Sequence, residues 1–164
     1  MKVVLNSVMM SMASILFMTL LTLGITKIHA QETQQNRENS QQELIDLFFA
    51  AAKTGNQDVI NEFLTYGFPV NVRNRAGYTP LMMAAYYGHQ NTVTTLLEYG
   101  ADPCARDSKG NTALMGAMFK LEWKIVKQLY QASCDDNPQQ KTAADFAKVI
   151  GQEEKFENLS HGKE

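Results

Sequence analysis

Short apolar stripes with helical spacing recur along the chain. Within each stripe, bulky apolar residues are separated mainly by three or four positions, so they fall on one face of a helix. The stripes are Val59, Phe63 and Leu64; Val93, Leu96 and Leu97; and Ile125, Val126 and Leu129. The pairs Ala51-Ala52 and Ala84-Ala85 precede the first two stripes, and such small residues let a partner helix approach closely. The pattern predicts a series of helix pairs.

Glycines repeat along the chain with one fixed offset. Gly55 and Gly88, Gly67 and Gly100, and Gly77 and Gly110 are each separated by 33 positions. Three glycine pairs on one period indicate a repeat architecture. We expect Gly88 and Gly100 to supply the positive-φ residues that end two successive helices.

The best copy of the repeat runs from Asn74 to Arg106. Thr79 is expected to cap its first helix, and Pro80 suits the first turn because no amide donor is needed there. This copy resembles the ankyrin-repeat family, and the residues that carry the resemblance are Gly77, Thr79, Pro80, Leu81, Ala84, Ala85, Gly88, His89, Val93, Leu96, Leu97, Gly100, Ala101 and Asp102. Met82 departs from the family, which usually has a capping histidine at that position.

The resemblance implies an all-α ankyrin-repeat solenoid of about four helix pairs with short finger loops, covering residues 43–159. The repeats are expected at approximately 43–73, 74–106, 107–136 and 137–159, with a polar tail at 160–164. The outer copies match less well, as expected where terminal repeats face water on one side. In the third copy Leu121 stands where the second copy has Gly88, which predicts a weak joint there.

The first thirty residues have the order of a secretory signal peptide. Lys2 precedes a nearly unbroken apolar run from Met9 to Leu23, and Ala30 ends a segment suited to cleavage. We expect cleavage after Ala30, with an uncleaved membrane anchor as the alternative. Residues 31–42 contain no apolar side chain and are expected to form a solvated polar linker.

Composition and motifs favour a binding protein over an enzyme. The formal net charge is −2, so no strongly basic surface suggests nucleic acid. No cluster has metal-ligand spacing, and neither a nucleophile elbow nor a phosphate loop occurs, so we expect no catalytic residue, metal or cofactor. His89 belongs to the family's Gly-His pair and is expected to cap the next helix.

Cys104 and Cys134 are expected to form a disulfide. Export would place them in an oxidising compartment, and they occupy nearly equivalent places in neighbouring repeats. Stacked helices lie about 8–10 Å apart, so the loops must bring the two Cα atoms within about 7 Å. Two buried free thiols are the alternative.

The resemblance also implies a concave binding face made of finger loops and first helices. The candidate protein-binding residues on this face are Arg75, Tyr78, Tyr86, Tyr87, Lys109, Phe119 and Lys120. Aromatic residues and arginine are the side chains that anchor interfaces. The alternative is that Tyr86 or Phe119 packs sideways against its neighbour.

The overall pattern resembles small exported ankyrin proteins of Gram-negative bacteria. That resemblance implies a non-enzymatic module in the periplasm that binds a protein partner through the concave face, with no nucleic acid and no stable membrane insertion after signal cleavage. Support of a periplasmic enzyme such as catalase is one expected role, and immunity against a secreted toxin is the alternative. An enzyme or small-ligand carrier using the same face would need a buried polar cluster beneath Tyr86 and Tyr87.

Overall fold

The computed structural model describes residues 34–131, 134 and 142–162. The predicted signal peptide and linker residues 31–33 lie outside these ranges. The chain divides into two compact units, Met1–Leu44 and Ile45–Glu164. The described residues form eight helices and no strand: α1 (34–54), α2 (Gln57–Thr65), α3 (Pro80–Tyr86), α4 (Gln90–Glu98), α5 (Ala113–Phe119), α6 (Trp123–Tyr130), α7 (Ala143–Val149) and α8 (Glu153–Ser160). None of these helices is both long and apolar enough to cross a membrane.

Residues 34–42 of the predicted linker are exposed and helical. Gln35 Nε2 donates a hydrogen bond to Asn39 Oδ1 at 3.1 Å, and Ser40 Oγ donates to the Asn36 carbonyl at 3.0 Å. Both bonds join residues four positions apart, which face each other on a helix. The absence of apolar residues predicted exposure, but it does not exclude a helix, because Gln and Glu have good helix propensity.

The second unit is a stack of helix pairs in which each pair forms one repeat. Within repeats α3 packs on α4, α5 on α6 and α7 on α8. Between repeats the first helices α3, α5 and α7 pack in succession, and so do the second helices α2, α4 and α6. Ala84, Ala85, Val93, Leu96 and Ala117 are fully buried in the shared core. The all-α repeat solenoid predicted from the sequence is confirmed.

The first helices of the second, third and fourth repeats begin with threonine caps, as the sequence predicts for Thr79. Thr79 Oγ1 accepts a hydrogen bond from the Met82 backbone N–H at 3.3 Å, and the Thr79 N–H donates to Met82 Sδ at 3.4 Å. The methionine therefore completes the reciprocal cap with its sulfur, a weak acceptor. Thr112 and Thr142 cap α5 and α7 in the same way, by accepting from the backbone N–H three residues on.

The helices of the second repeat end at glycines with positive φ, as predicted. φ is +80° at Gly88 and +82° at Gly100. In the third repeat Leu121 adopts the same conformation with φ +62°, and it is the one non-glycine residue with positive φ in the described ranges. A side chain in this region is sterically strained, because its Cβ approaches the backbone carbonyl oxygen. The strain supports the predicted weak joint.

The prediction that His89 caps α4 is confirmed for its position, but the side chain takes no part in the cap. His89 is the N-cap residue of α4, but its side chain makes no capping hydrogen bond. Instead Nε2 donates to the Lys53 carbonyl at the end of α1, at 2.8 Å. A Cβ added to Gly55 would lie 2.6 Å from His89 Nδ1, so the ring fills the space that this glycine leaves open. His89 therefore joins the second repeat to the first.

The structure contains the predicted disulfide between Cys104 and Cys134. The two Cα atoms are 5.4 Å apart, within the range that disulfides require. Cys104 lies in the loop between α4 and α5, and Cys134 follows α6, so the loops bring together residues of neighbouring repeats. The bond closes a loop that contains both α5 and α6.

Candidate functional site

An open groove of about 490 Å³ runs along the first helices and finger loops of the second unit. The second, third and fourth repeats all contribute to it. The residues that line it are Tyr78, Met82, Met83, Tyr86, Tyr87, Asp107, Lys109, Asn111, Thr112, Met115, Gly116, Phe119 and Phe146. Aromatic and methionine side chains predominate, so most of the groove wall is apolar and adaptable.

Three aromatic rings of the groove form a connected series. The Tyr86 and Phe119 rings stack with centroids 6.3 Å apart, and the Tyr86 and Tyr87 rings meet edge to face at 5.1 Å. Tyr86 is half-buried and packs sideways against its neighbours, which was the alternative to a role in binding. Tyr87 and Phe119 nevertheless keep 41% and 57% of their surface exposed. Exposed aromatic surface held in fixed geometry is suited to binding a partner.

Lysine side chains surround these rings. Lys53 Nζ lies 5.4 Å from the centroid of Tyr87, and Lys120 Nζ lies 5.2 Å from that of Tyr86. These are cation–π distances. Lys109, in the finger loop before α5, lines the groove itself. The margin of the groove is therefore positively charged.

The finger loops that bear Tyr78 and Lys109 are fixed by matching turns. Asn74 Oδ1 accepts the backbone N–H groups of Ala76 and Tyr78, both at 3.0 Å. One repeat later, Asp107 Oδ1 accepts those of Lys109 and Asn111, both at 2.8 Å. The two loops are also joined, because the Ser108 N–H donates to the Ala76 carbonyl at 3.2 Å. The rigid loops hold the groove residues in place.

Asp107 is the acidic residue of the groove, and its carboxylate is already occupied. Burial raises the pKa of Asp107. Hydrogen bonds from the side chain and backbone of Asn111 and from the Lys109 backbone lower it by more than burial raises it, so the pKa lies below the ordinary value. Asn111 Nδ2 donates to Oδ2 at 3.0 Å. The ionised carboxylate stabilises the finger loop, and its hydrogen-bonding capacity is largely used there.

Most of the predicted binding residues come together in the groove. Tyr78, Tyr86, Tyr87, Lys109 and Phe119 line it. Lys120 lies beside it over the Tyr86 ring, whereas Arg75 is exposed in its finger loop and is not part of the lining.

The sequence interpretation missed four apolar side chains of the wall and one glycine. These are Met82, Met83, Met115, Phe146 and Gly116. The repeat period held a signal for three of them. Gly116 follows Met83 by one period of 33 positions, and Phe146 follows Gly116 by 30 positions, the shorter spacing between the third and fourth repeats.

The site offers surface chemistry for binding. Among the described residues, no three His, Cys, Asp or Glu side chains are grouped so as to hold a metal ion. The polar groups of the groove are the hydroxyls of Thr112 and the tyrosines, the Lys109 ammonium and the Asp107–Asn111 turn. This arrangement combines a large apolar area with a cationic margin.

The comparisons with known proteins agree with the repeat architecture. The family model for ankyrin repeats (3 copies) matches residues 22–107 and, in a second and overlapping match, residues 47–141. No curated protein matches the chain significantly. The two family matches together span well over half of the chain and include most of the helix pairs described above. The chain therefore belongs to the ankyrin-repeat family.

Proposed function

We propose that this chain is a non-enzymatic module that binds a protein partner in the periplasm through the groove of its first helices. Ankyrin repeats are generally protein–protein interaction modules. The observation that carries the proposal is the combination of exposed Tyr87 and Phe119 rings with lysines at the margin. Aromatic residues bury a large area on binding and lose few rotamers.

The charge of the margin favours an acidic surface on the partner. Lys53 and Lys120 lie over tyrosine rings, and Lys109 lines the groove. The Asp107 carboxylate is hydrogen-bonded within its own loop, and the three lysines outnumber it around the groove. Complementary charge of this kind accelerates association and weakens as salt is added.

Periplasmic location is supported by the signal-like order of residues 1–30 and by the disulfide. Disulfides persist in oxidising compartments and are rare in the bacterial cytoplasm. The expected start of the processed protein is Gln31. Intact-mass measurement on the protein from the periplasmic fraction tests this, and recovery of unprocessed protein in the membrane fraction would contradict it.

We infer that the partner is a periplasmic enzyme that this protein supports, with catalase as one example. The test is quantitative capture from periplasmic extract with the tagged full-length gene product, its Tyr87→Ala variant and, as a matched control, Tyr66→Ala. Tyr66 is a tyrosine with 85% exposure at the end of α2 and does not line the groove. An enzyme retained by the unmodified protein and by Tyr66→Ala, but lost from Tyr87→Ala, supports the proposal. A secreted toxin retained in that pattern instead supports an immunity role, and equal retention by all three proteins contradicts groove binding.

A further inference from the structure

We infer that the groove contains a socket at Gly116 that accepts one aromatic side chain from an acidic segment of the partner. The inference rests on the proposed function and names the chemistry of the partner at that same site. Gly116 lies inside α5 and lines the groove. Its counterparts in the neighbouring repeats, Met83 and Phe146, line the groove with large side chains.

The backbone does not require glycine at this position. Gly116 is not among the glycines with positive φ, in contrast to Gly77, Gly88 and Gly110. Glycine in a helix interior is less favourable than alanine, because it loses more conformational freedom on folding. The α5 helix would therefore form more readily with alanine.

Close packing does not require glycine there either. A Cβ added at Gly116 would meet Tyr86 Cβ at 3.8 Å and Tyr86 Cδ2 at 3.9 Å, which are ordinary van der Waals contacts. At Gly88, by contrast, an added Cβ would lie 2.7 Å from Glu122 Oε1. Gly116 thus lines the groove with backbone alone, between repeats that line it with the larger side chains of Met83 and Phe146.

The walls of the groove around Gly116 match an aromatic ring. Tyr86 and Phe119, whose rings stack on each other, stand one turn along α3 and α5 from Met83 and Gly116. Met83 and Met115 add sulfur and methylene surface to the lining. Aromatic rings and methionine both interact favourably with an inserted aromatic side chain.

The lysines define what surrounds that side chain in the partner. Lys53, Lys109 and Lys120 lie along the groove and its margin, while the carboxylate of the groove is committed to backbone N–H groups. In an aromatic residue flanked by Asp or Glu, the ring fills the socket and the carboxylates pair with the lysines of the margin. An apolar segment with basic flanks would be repelled.

The test uses random short peptides displayed on phage, selected against the disulfide-bonded protein obtained by expressing the full chain. Enriched peptides are synthesised, and their affinities are measured for the unmodified protein, Gly116→Ala, Gly116→Leu and Ala50→Leu. Ala50 is the matched control, because it holds the corresponding register in α1, is exposed and does not line the groove. We expect enrichment of one aromatic residue with acidic neighbours. Gly116→Leu should weaken binding by roughly thirtyfold or more, as loss of an interface anchor does, and Ala50→Leu should leave it unchanged.

Thermal unfolding of the same variants separates filling of the socket from damage to the fold. Gly116→Ala should have a melting temperature equal to or above that of the unmodified protein. It should still bind the peptide more weakly. The inference is overturned if no peptide is enriched, if enriched peptides lack an aromatic residue, or if they bind Gly116→Leu with full affinity. Self-association that disappears in Gly116→Leu would overturn it in favour of a second copy of the chain as occupant. A periplasmic protein captured equally by Gly116→Leu but lost from Tyr87→Ala would refute the socket and leave the proposed function standing.

Discussion

Leu121 occupies the place in the third repeat that Gly88 occupies in the second, and both residues have positive φ, +62° and +80°. A left-handed conformation costs an L-residue with a side chain roughly 1–2 kcal/mol. Leu121 is 53% exposed, so its side chain regains only part of that amount through packing. We therefore expect Leu121→Gly to raise the free energy of unfolding by about 1 kcal/mol, after allowance for the greater freedom of glycine in the unfolded chain. Urea unfolding monitored by circular dichroism measures the change.

The control for this prediction is Gly88→Ala. It places a Cβ at a positive φ and 2.7 Å from Glu122 Oε1, so it should lower stability. If Leu121→Gly also lowers stability, the contacts of the leucine outweigh its backbone strain.

Asp107 makes stability depend on pH in the acidic range. Its folded-state pKa lies below the ordinary value because backbone and side-chain N–H groups donate to the ionised carboxylate, and these outweigh the effect of burial. As pH falls, the unfolded chain takes up this proton first, near the ordinary pKa of about 3.9, so the stability contribution is present above that pH and is lost below it. Asp145 has a lowered pKa through its hydrogen bonds with Thr142 and contributes in the same direction.

Asp107→Asn is expected to flatten part of this acid dependence. Asn74 shows that an amide oxygen can accept the same pair of backbone N–H groups one repeat earlier. The variant should therefore stay folded at neutral pH, with a loss of about 1 kcal/mol for the weaker hydrogen bonds. Urea midpoints for both proteins at several pH values between neutrality and pH 3 provide the measurement. Parallel profiles for the two proteins would show that Asp107 is not a source of the dependence.

The repeat architecture could be predicted because the glycine spacing marks where helices end and the apolar stripes mark which helix faces are buried. Gly88 and Gly100 end helices, and Leu96 is buried, as the pattern required. The side-chain role of His89 could not be predicted, because it depends on the space above Gly55 in another repeat. The hydrogen bond from the Thr79 N–H to the Met82 sulfur could not be predicted either. The family resemblance shows that the usual histidine is missing, but not that the sulfur accepts in its place.

The Cys104–Cys134 disulfide should stabilise the third repeat. It closes a loop with a sequence separation of 30, for which the chain-entropy model gives roughly 3–4 kcal/mol. The loop includes the strained Leu121 joint, so reduction is expected to lower the unfolding midpoint substantially. Urea unfolding with and without reductant measures the difference.

A double Cys104→Ser, Cys134→Ser variant provides the control, because reductant should not alter its unfolding curve. Mass spectrometry under non-reducing conditions examines the bond itself. Two free thiols in protein taken from its native compartment would refute the disulfide in the cell.

The sequence predicted the main aromatic residues of the groove but not its full lining. The family comparison placed Tyr86, Tyr87 and Phe119 on one face because it fixes which helix positions point that way. The sequence did not single out Gly116. This glycine is notable only because the equivalent positions in the neighbouring repeats, Met83 and Phe146, line the groove with large side chains. Arg75 is exposed in its finger loop but does not line the groove, so its role in binding stays a prediction.

Tyr87 and Leu96 should separate binding from folding when each is replaced by alanine. Leu96 is fully buried in α4, so Leu96→Ala leaves a cavity and should lower stability by roughly 2–5 kcal/mol. Tyr87 is 41% exposed, and its ring contacts the Tyr86 ring and the Lys53 ammonium. Tyr87→Ala should therefore lower stability by only about 1 kcal/mol, yet weaken partner binding by about 2 kcal/mol or more if the ring is an anchor. Thermal midpoints and partner affinities are measured for both variants. A Tyr87→Ala protein that melts as early as Leu96→Ala would show that the tyrosine belongs to the core, and one that keeps full affinity would place the partner elsewhere on the surface.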